Sequence, residues 1–271
     1  MTSPVHRPSI GVFDSGFGGL TVLKELVALN PDADYLYFGD TARLPYGSKS
    51  VETVARYAVE ATHFLEHQGA NLLVIACNTA TALALDRITA ATSLPVVGVV
   101  EPGAEQASAS SQQRKVVVIG TEATVSSHAY LKALRARGIE AREKACPLFV
   151  PLVEEGWVDH AVTEQVAHIY LKEAFADGFH DADVLVLGCT HYPLLQPLLR
   201  RIAPPHVTIV DSAHSTANVV ARQIGSSLRS ESPTRTSLRF FATDSVEKFR
   251  KLGPRFLGHP VDQVEHVDLK E

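Results

Sequence analysis

Short apolar runs recur along the chain, and most are continuous rather than alternating between apolar and polar positions. Continuous runs are typical of strands that are buried on both faces of a parallel sheet. The pattern predicts strands at residues 10–13, 35–38, 72–77, 96–100, 115–120, 184–188, 208–210 and 238–242.

The segments between these strands have the three-to-four-residue spacing of amphipathic helices. One apolar face comprises Val51, Val54, Ala55, Ala58, Thr62 and Leu65, and a second comprises Val162, Val166, Ile169, Tyr170 and Phe175. Turns are predicted at Asn30-Pro31, at residues 45–47 and at Gly253-Pro254. Alternation of strands and helices predicts the α/β fold class.

Two distant segments share the order strand, small polar turn, helix. SIGVFDSGFGGLTVLKELVALN begins at Ser9, and KVVVIGTEATVSSHAYLKALRARG begins at Lys115. Each is followed by a strand that ends on a cysteine, Cys77 in the first half and Cys189 in the second. Two related α/β units facing each other would give this pattern, and chance similarity of generic βα units is the alternative. Between the two segments, residues 108–114 (SASSQQR) form either a linker or an ordinary surface loop.

The 271 residues are enough for one large or two modest domains whose core needs no disulfide or metal. A net charge of −5 argues against a broad basic surface for nucleic acid. The three cysteines include no C-x-x-C pair, which favours a reducing compartment. The N-terminal stretch MTSPVHRPSIGV lacks a signal-peptide core, and no apolar run reaches the ~18 residues of a membrane span. We therefore expect a cytoplasmic protein that binds neither nucleic acid nor membrane.

Polar and nucleophilic side chains follow four of the predicted strands, at the carboxyl ends where α/β sheets bind ligands. They are Asp14-Ser15, Cys77-Asn78-Thr79, Gly120-Thr121 and Cys189-Thr190-His191. A helix is predicted after each set, and its first backbone amides are unpaired donors that can hold a carboxylate. The combination predicts a pocket for a small polar molecule.

The surroundings of Cys77 and Cys189 distinguish them from Cys146, which lies in the apolar context ACPLFV and is predicted to be a core residue. A helix N-terminus lowers the pKa of a thiol, and the thiolate is the reactive form. Two such thiols, one from each half, would suit a reaction such as racemisation, in which one group removes a proton and another delivers one from the opposite side. Hydrolysis through one nucleophile would leave the second cysteine without a role.

The turn DSGFGG after the first strand is neither a dinucleotide nor a Walker signature. Asp14 would repel a phosphate, but it could pair with an ammonium group, accept a proton, or cap the next helix. The glycines would let backbone amides approach a small carboxylate.

A metal site is the sharpest alternative to thiol chemistry. Cys77, Cys189 and His191 would form a Cys₂His zinc site with one open position. Adjacent residues at a strand end point apart, which argues against Cys189 and His191 binding one ion. We therefore expect no metal.

Six motifs run in order from Ile10 to about Leu195: IGVFDSGFGGLTVL, YFGDTARLPYGSKS, VIACNTATA, PVVGVVEP, PLVEEG and LGCTHYPLL. Together they resemble the glutamate racemases, which belong to the cofactor-independent aspartate/glutamate racemase superfamily. The paired ACNTA and GCTHYPL segments are the most specific part of this resemblance.

The resemblance implies two pseudo-symmetric, Rossmann-like α/β domains with largely parallel sheets and an active site in the cleft between them. The first domain would be discontinuous, with residues 1–98 and 212–271, and the second would contain residues 99–211. The substrate would be free glutamate, interconverted between its L and D forms without a cofactor or metal. D-glutamate would serve peptidoglycan synthesis, and the protein would be a homodimer.

The resemblance also implies residue roles. Cys77 would act on the α-hydrogen of D-glutamate with the help of Asp14, and Cys189 on that of L-glutamate with the help of His191. Glu154 would be the acid near the second cysteine, although the adjacent Glu155 leaves this open. The substrate would contact Asp14, Ser15, Pro45, Tyr46, Gly47, Asn78, Thr79, Thr121, Thr190 and His191.

Other functions remain open on the sequence. An aspartate or hydantoin racemase would share the motifs, because pocket shape sets substrate length. A Cys–His hydrolase would use Cys189 and His191. A non-catalytic amino-acid-binding module would use the pocket alone.

Overall fold

The strands of this chain form two parallel sheets. The computed structural model describes residues 7–224 and 236–269. The strands in those ranges are β1 (Ser9–Asp14), β2 (Asp34–Gly39), β3 (Leu72–Ile75), β4 (Val96–Gly98), β5 (Lys115–Gly120), β6 (Glu140–Ala145), β7 (Val184–Gly188), β8 (Thr208–Asp211), β9 (Leu238–Ala242) and β10 (Val264–His266). Their order is β10-β9-β2-β1-β3-β4 in one sheet and β6-β5-β7-β8 in the other. Two expectations fall partly outside the described residues. Residues 1–6 belong both to the stretch expected to lack a signal peptide and to the expected first domain, and residues 225–235 and 270–271 belong to that domain.

Helices connect the strands and cover the sheets. They are α1 (Leu20–Leu29), α2 (Val51–His67), α3 (Asn78–Ala90), α4 (Val100–Ser110), α5 (Glu122–Ser127), α6 (Ala129–Ala136), α7 (Phe149–Glu154), α8 (Ala161–Ala174), α9 (Gln196–Ile202), α10 (Ser212–Ile224) and α11 (Val246–Leu257). Short 3₁₀ helices lie at Thr41–Arg43, Tyr46–Ser48 and Tyr192–Leu195. In the part of the chain that the structure describes, no helix combines the length and the apolar character of a membrane span.

The two sheets repeat one topology. In the first sheet β1 lies between β2 and β3, and in the second β5 lies between β6 and β7, so the order β2-β1-β3-β4 recurs as β6-β5-β7-β8. All ladders of both units are parallel. The α/β class and the pseudo-symmetric arrangement are therefore confirmed, and Cys77 and Cys189 follow the equivalent strands β3 and β7.

The continuous apolar runs form the strands that are covered on both faces. The alternation of side chains along β1 places Ile10 and Val12 in one apolar cluster and Phe13 in another. Helices α2 and α3 contribute to the cluster around Phe13, and α1 contributes to the other. The chain returns from the second sheet through α10, which packs against α1.

Two predicted strands end early because helices begin there. The pattern predicts a third strand that extends to residue 77, but β3 ends at Ile75 and Cys77 caps α3. Strand β4 ends at Gly98 because α4 begins at Val100. The predicted turn at Gly253-Pro254 is wrong, since Pro254 lies inside α11, which ends at Gly258 in the left-handed conformation.

The apolar face predicted for residues 162–175 is partly right, since Phe175 is buried and Val166 and Tyr170 pack partly buried against the core. Helix α8 buries Thr163, Ala167, Leu171 and Ala174, whereas Val162 and Ile169 are 42% and 57% exposed. Threonine and alanine side chains supply most of this buried stripe, so the spacing of large apolar residues alone did not locate it.

Residues 111–114 form a surface turn that hydrogen bonds hold in place, whereas residues 108–110 are helical. These helical residues complete α4, which ends at Ser110. The hydroxyl of Ser111 and the backbone amides of Gln112 and Gln113 then donate to the carboxylate of Asp183 at 2.6, 2.7 and 2.9 Å. The loop reading of this segment is thus the one that the structure supports.

Candidate active site

A cavity of about 520 Å³ lies at the carboxyl ends of both sheets. Of the residues predicted to form a site, those that line it are Ser15, Pro45, Tyr46, Gly47, Cys77, Asn78, Thr79, Thr121, Glu154, Cys189, Thr190 and His191. The lining comes from the segments after β1, β2, β3, β5, β6, β7 and β9. Strand-end residues that are far apart in sequence are therefore brought to one place.

Cys77 caps the N-terminus of α3. Its sulfur accepts a hydrogen bond from the Ala80 amide at 3.4 Å, and its thiol donates to the Ser15 hydroxyl at 3.5 Å. The Ala80 amide at the helix terminus lowers the pKa of Cys77, as the sequence predicted, but it does not decide the result. Burial, together with the neighbouring Asp14 carboxylate, raises the pKa of Cys77 to about 12 and outweighs these hydrogen bonds. Cys77 is therefore a thiol at neutral pH.

Asp14 lies behind the cavity wall rather than on it. The side chain is fully buried, and its two oxygens accept from the Gly16 amide at 2.9 Å and from the Thr190 hydroxyl at 3.4 Å. Burial raises the pKa of Asp14, while the charge of His191 and these hydrogen bonds oppose the rise. Asp14 does not cap α1, whose N-cap is Gly19. Its position suits influence on Cys77 more than direct contact with a bound molecule.

The glycine turn makes room for the second half of the site. A Cβ on Gly18 would lie 2.2 Å from the Thr190 hydroxyl oxygen and 2.5 Å from Nδ1 of His191. A Cβ on Gly19 would lie 2.5 Å from that of Asp14. The Gly16 amide donates to the carboxylate of Asp14. Gly18 allows close packing between the two halves, and Gly19 leaves room for the Asp14 side chain.

Cys189, Thr190 and His191 follow β7 and are all buried. The imidazole of His191 hydrogen-bonds with the Cys189 side chain, and its Nε2 lies 3.3 Å from Oε1 of Glu154. Burial alone would lower the pKa of His191, but these two partners raise it to about 10. An imidazolium cation therefore lies beside the Cys189 sulfur at neutral pH.

Glu154 is held by two cations. Its Oε2 accepts from Nζ of Lys248 at 2.7 Å, opposite the contact with His191. Burial raises the pKa of Glu154, but the hydrogen bonds from His191 and Lys248 lower it to about 2. The adjacent Glu155 is exposed and does not line the cavity.

Hydroxyl groups join the two halves at another wall. The Thr79 hydroxyl lies 2.9 Å from that of Thr121 and 3.2 Å from that of Thr124. A Cβ on Gly47 would lie 2.9 Å from the Cβ of Thr121, so the loop after β2 touches the start of α5. This loop is anchored by the Tyr46 hydroxyl, which donates to Asp40 at 2.5 Å.

Cys146 is buried and lies outside the cavity lining, as expected for a core residue. Within residues 7–224 and 236–269, no three His, Cys, Asp or Glu side chains are grouped so that they could hold a metal ion. The zinc alternative with Cys77, Cys189 and His191 therefore lacks support among the described residues.

Several lining residues were not found from the sequence. They are Phe17, Thr41, Leu44, Ser48, Glu122, Pro147, Val150, Pro151, Ser245 and Lys248. Five of them lie within the quoted motifs but gave no chemical reason to be selected: Phe17, Thr41, Leu44, Ser48 and Pro151. Lys248 lies on α11, far along the chain from every motif, and only the return of the chain to the first sheet brings it to Glu154.

Comparison with known proteins gives a consistent result. Residues 10–220 match the family model described as Asp/Glu/hydantoin racemase. A glutamate racemase of Koribacter versatilis is 61% identical and aligns over 97% of this chain and 98% of its own length. The crystal structure of a Francisella tularensis glutamate racemase in complex with D-glutamate has a TM-score of 0.89 at 35% identity, covering 97% of this chain and 98% of that one. A Thermus thermophilus glutamate racemase, in complex with β-chloro-D-alanine, has a TM-score of 0.87 at 45% identity, covering 97% and 98%.

Proposed function

Because this chain belongs to the Asp/Glu/hydantoin racemase family, we propose that it interconverts L- and D-glutamate by a two-base mechanism. The family resemblance drawn from the motifs is confirmed by the match over residues 10–220 and by the relatives named above. Glutamate as the substrate is supported by the names of those relatives and by the D-glutamate held in the Francisella tularensis structure.

The observation that carries the mechanism is the placement of the two thiols. Cys77 and Cys189 follow topologically equivalent strands in different sheets, and both line one cavity. The repeated topology thus provides two equivalent thiols for a molecule bound in this cavity. We propose that the two sulfurs lie on opposite faces of the α-carbon.

The charges around the thiols suit the direction from L- to D-glutamate. The Cys189 sulfur, beside the His191 imidazolium, would take the α-proton of L-glutamate. The Cys77 thiol would give its proton to the other face of the resulting carbanion. One proton thus moves from Cys77 to the substrate and one from the substrate to Cys189. The reverse reaction begins at Cys77, whose thiolate would be stabilised by the Ala80 amide and the Ser15 hydroxyl.

Stabilisation of the carbanion requires fixed donors in a cavity shielded from water. Asn78 and Thr121 line the cavity with an amide and a hydroxyl, and α3 and α5 begin at its wall. Asp14 would act through Cys77, and Glu154 through His191. The remaining predicted contacts, Ser15, Pro45, Tyr46, Gly47, Thr79 and Thr190, would complete the binding site. No step of this scheme requires a cofactor.

The wider biology is proposed on the same basis. D-glutamate made by this enzyme would supply peptidoglycan synthesis in the cytoplasm, where the free cysteines would stay reduced. We propose a homodimer built from two-domain subunits, with residues 1–98 and 212–271 in one domain and 99–211 in the other. The two sheets fall on either side of this division.

Circular dichroism of purified enzyme with L-glutamate, D-glutamate and both aspartate enantiomers tests the proposal. The ellipticity should decay to zero with either enantiomer of glutamate and much more slowly with aspartate. A preference for aspartate would identify aspartate, rather than glutamate, as the substrate. Binding of glutamate without any decay of the ellipticity would indicate a non-catalytic module.

Single cysteine variants test the mechanism separately from the substrate. Cys77→Ala and Cys189→Ala should each abolish racemisation in both directions, and Cys→Ser should be nearly as harmful because an alcohol is far less acidic than a thiol. A Cys–His hydrolase would instead tolerate Cys77→Ala and would form an acyl-enzyme on Cys189. Near-normal turnover by either alanine variant would exclude the two-base assignment.

A further inference from the structure

Only one of the two polar atoms of the Asn78 side-chain amide has a hydrogen-bond partner among the described residues. Its Oδ1 accepts a hydrogen bond from the Tyr130 hydroxyl at 2.7 Å. Its Nδ2 is buried and has no hydrogen-bond partner among the described residues. Asn78 is only 2% exposed, yet it lines the cavity. An unpaired buried donor is costly, and such a donor at a cavity wall indicates that a bound group completes it.

Tyr130 reaches Asn78 from the other half of the molecule. It lies on α6, is fully buried and does not line the cavity. Its ring also packs on Gly188, where a Cβ would lie 3.2 Å from Cε2 of Tyr130. Asn78 directly follows Cys77, and Gly188 directly precedes Cys189. One side chain therefore touches both cysteine segments.

The Tyr130 hydroxyl is set up to donate toward Asn78. Burial raises the pKa of Tyr130, so the hydroxyl keeps its proton, although a hydrogen bond with the Ser212 side chain opposes the rise. With Ser212 as a second partner of the same oxygen, the tyrosine proton is directed to Oδ1 of Asn78. The amide is thereby fixed in one of its two orientations, with Nδ2 away from Tyr130.

We propose that Tyr130 is a positioning residue for substrate, which holds the Asn78 amide so that Nδ2 donates to a carboxylate of glutamate. This inference rests on the proposed function for the identity of the ligand. Without the tyrosine hydroxyl the amide can rotate by half a turn. Oδ1, an acceptor, would then face the carboxylate and repel it.

The test uses the full chain with Tyr130→Phe, Asn78→Ala and the double variant. Calorimetry gives the Kd for D-glutamate, and circular dichroism gives kcat and KM in both directions. Tyr130→Phe should raise Kd and KM about five- to tenfold, the scale of the net contribution of one ordinary hydrogen bond. Its kcat should change less than KM, because the lost interaction is made in the ground state as well as in the transition state.

The double variant separates positioning from a general structural effect. If Tyr130 acts through Asn78, adding Tyr130→Phe to Asn78→Ala should weaken binding no further. Tyr35→Phe is the matched control, since it removes another buried hydroxyl, one that bonds to the Leu26 and Asn30 carbonyls away from the cavity. That variant should keep wild-type Kd and KM. Ser212→Ala replaces Tyr130→Phe if the latter fails to fold, with a smaller increase in KM that is likewise absent in the Asn78→Ala background.

The outcomes distinguish this inference from the function on which it depends. If the wild-type enzyme does not bind or racemise glutamate, the proposed function fails and the inference falls with it. If the wild type is active but Tyr130→Phe leaves KM and Kd unchanged, only the inference is overturned. The same holds if the effects of Tyr130→Phe and Asn78→Ala multiply in the double variant.

Discussion

Oε1 of Glu154 lies 3.3 Å from Nε2 of His191, and this contact joins the last residue of α7 to the segment after β7. The pKa of Glu154 is lowered to about 2 and that of His191 is raised to about 10, so the two groups are oppositely charged throughout the neutral range. Each charge sustains the other in a site where burial opposes both. The pair keeps a cation beside Cys189.

Replacement of Glu154 should change the alkaline limit of the enzyme. Because the folded pKa of His191 lies above its ordinary 6.5, the protonated ring stabilises the fold below that pH, and the contribution disappears as pH rises through about 10. Glu154→Gln removes a partner that raises this pKa, so burial should bring it down. Stability and activity should then decline at a lower alkaline pH, with a loss of about 2 kcal/mol at neutral pH.

Thermal unfolding and kcat measured across pH check this expectation. Glu154 itself has a folded pKa below its ordinary 4.5, so its stabilisation is present above 4.5 and disappears as pH falls through about 2. The acid decline should therefore also be smaller in Glu154→Gln. Glu155→Gln is the matched control, because it changes the neighbouring, exposed carboxylate and should leave both profiles unaltered. Equal effects of the two variants would contradict the assigned contact.

Removal of the Asp14 charge should make Cys77 easier to ionise. After burial, Asp14 is the main cause of the raised pKa of Cys77, so Asp14→Asn should lower that pKa from about 12. Alkylation of the Cys77 peptide by iodoacetamide, followed by mass spectrometry between pH 7 and 10, measures the change. Cys77 should react faster in the variant than in the wild type at each pH, so the ratio of the variant rate to the wild-type rate should rise above one. Equal rates in the variant and the wild type would show that Asp14 does not influence Cys77.

A methyl group at residue 18 should damage the site by displacing two residues that line the cavity. Gly18→Ala would press on Thr190 and His191, and a misplacement of about 1 Å can reduce the rate about 100-fold. Gly16→Ala is the comparison, since its Cβ would meet only the end of the Leu44 side chain, at 3.0 Å. Kinetic constants and melting temperatures of both variants are compared. Similar losses in the two would mean that the contact of residue 18 with Thr190 and His191 is not the cause.

Much of the fold was predictable because its central strands are buried on both faces. Continuous apolar runs and following polar residues located β1, β3, β5 and β7, together with the site residues at their ends. Strand β6 was missed because its sequence, EAREKA, belongs to a half-exposed edge strand, where charge replaces the apolar run. Strand β10 was missed because its three residues, VEH, at the edge of the sheet are too few to show the pattern of a strand.

The features that could not be predicted depend on contacts between distant segments. The link between Glu154 and Lys248 joins α7 to α11, and no local pattern connects the two helices. The pKa of Cys77 was predicted in the wrong direction, because capping of α3 is visible in the sequence while burial beside Asp14 is not. The choice between Glu154 and Glu155 likewise required the orientation of the last turn of α7.

The position of deuterium after brief reaction in deuterated water tests the two-base account most directly. Wild-type enzyme is given L-glutamate or D-glutamate, stopped at low conversion, and both enantiomers are separated and analysed by mass spectrometry. If separate thiols serve the two faces, the product should carry one deuterium at the α-carbon and the recovered substrate none, in both directions. Deuterium in the recovered substrate at the rate of turnover, or protium retained in the product, would show that one group serves both faces and would contradict the account.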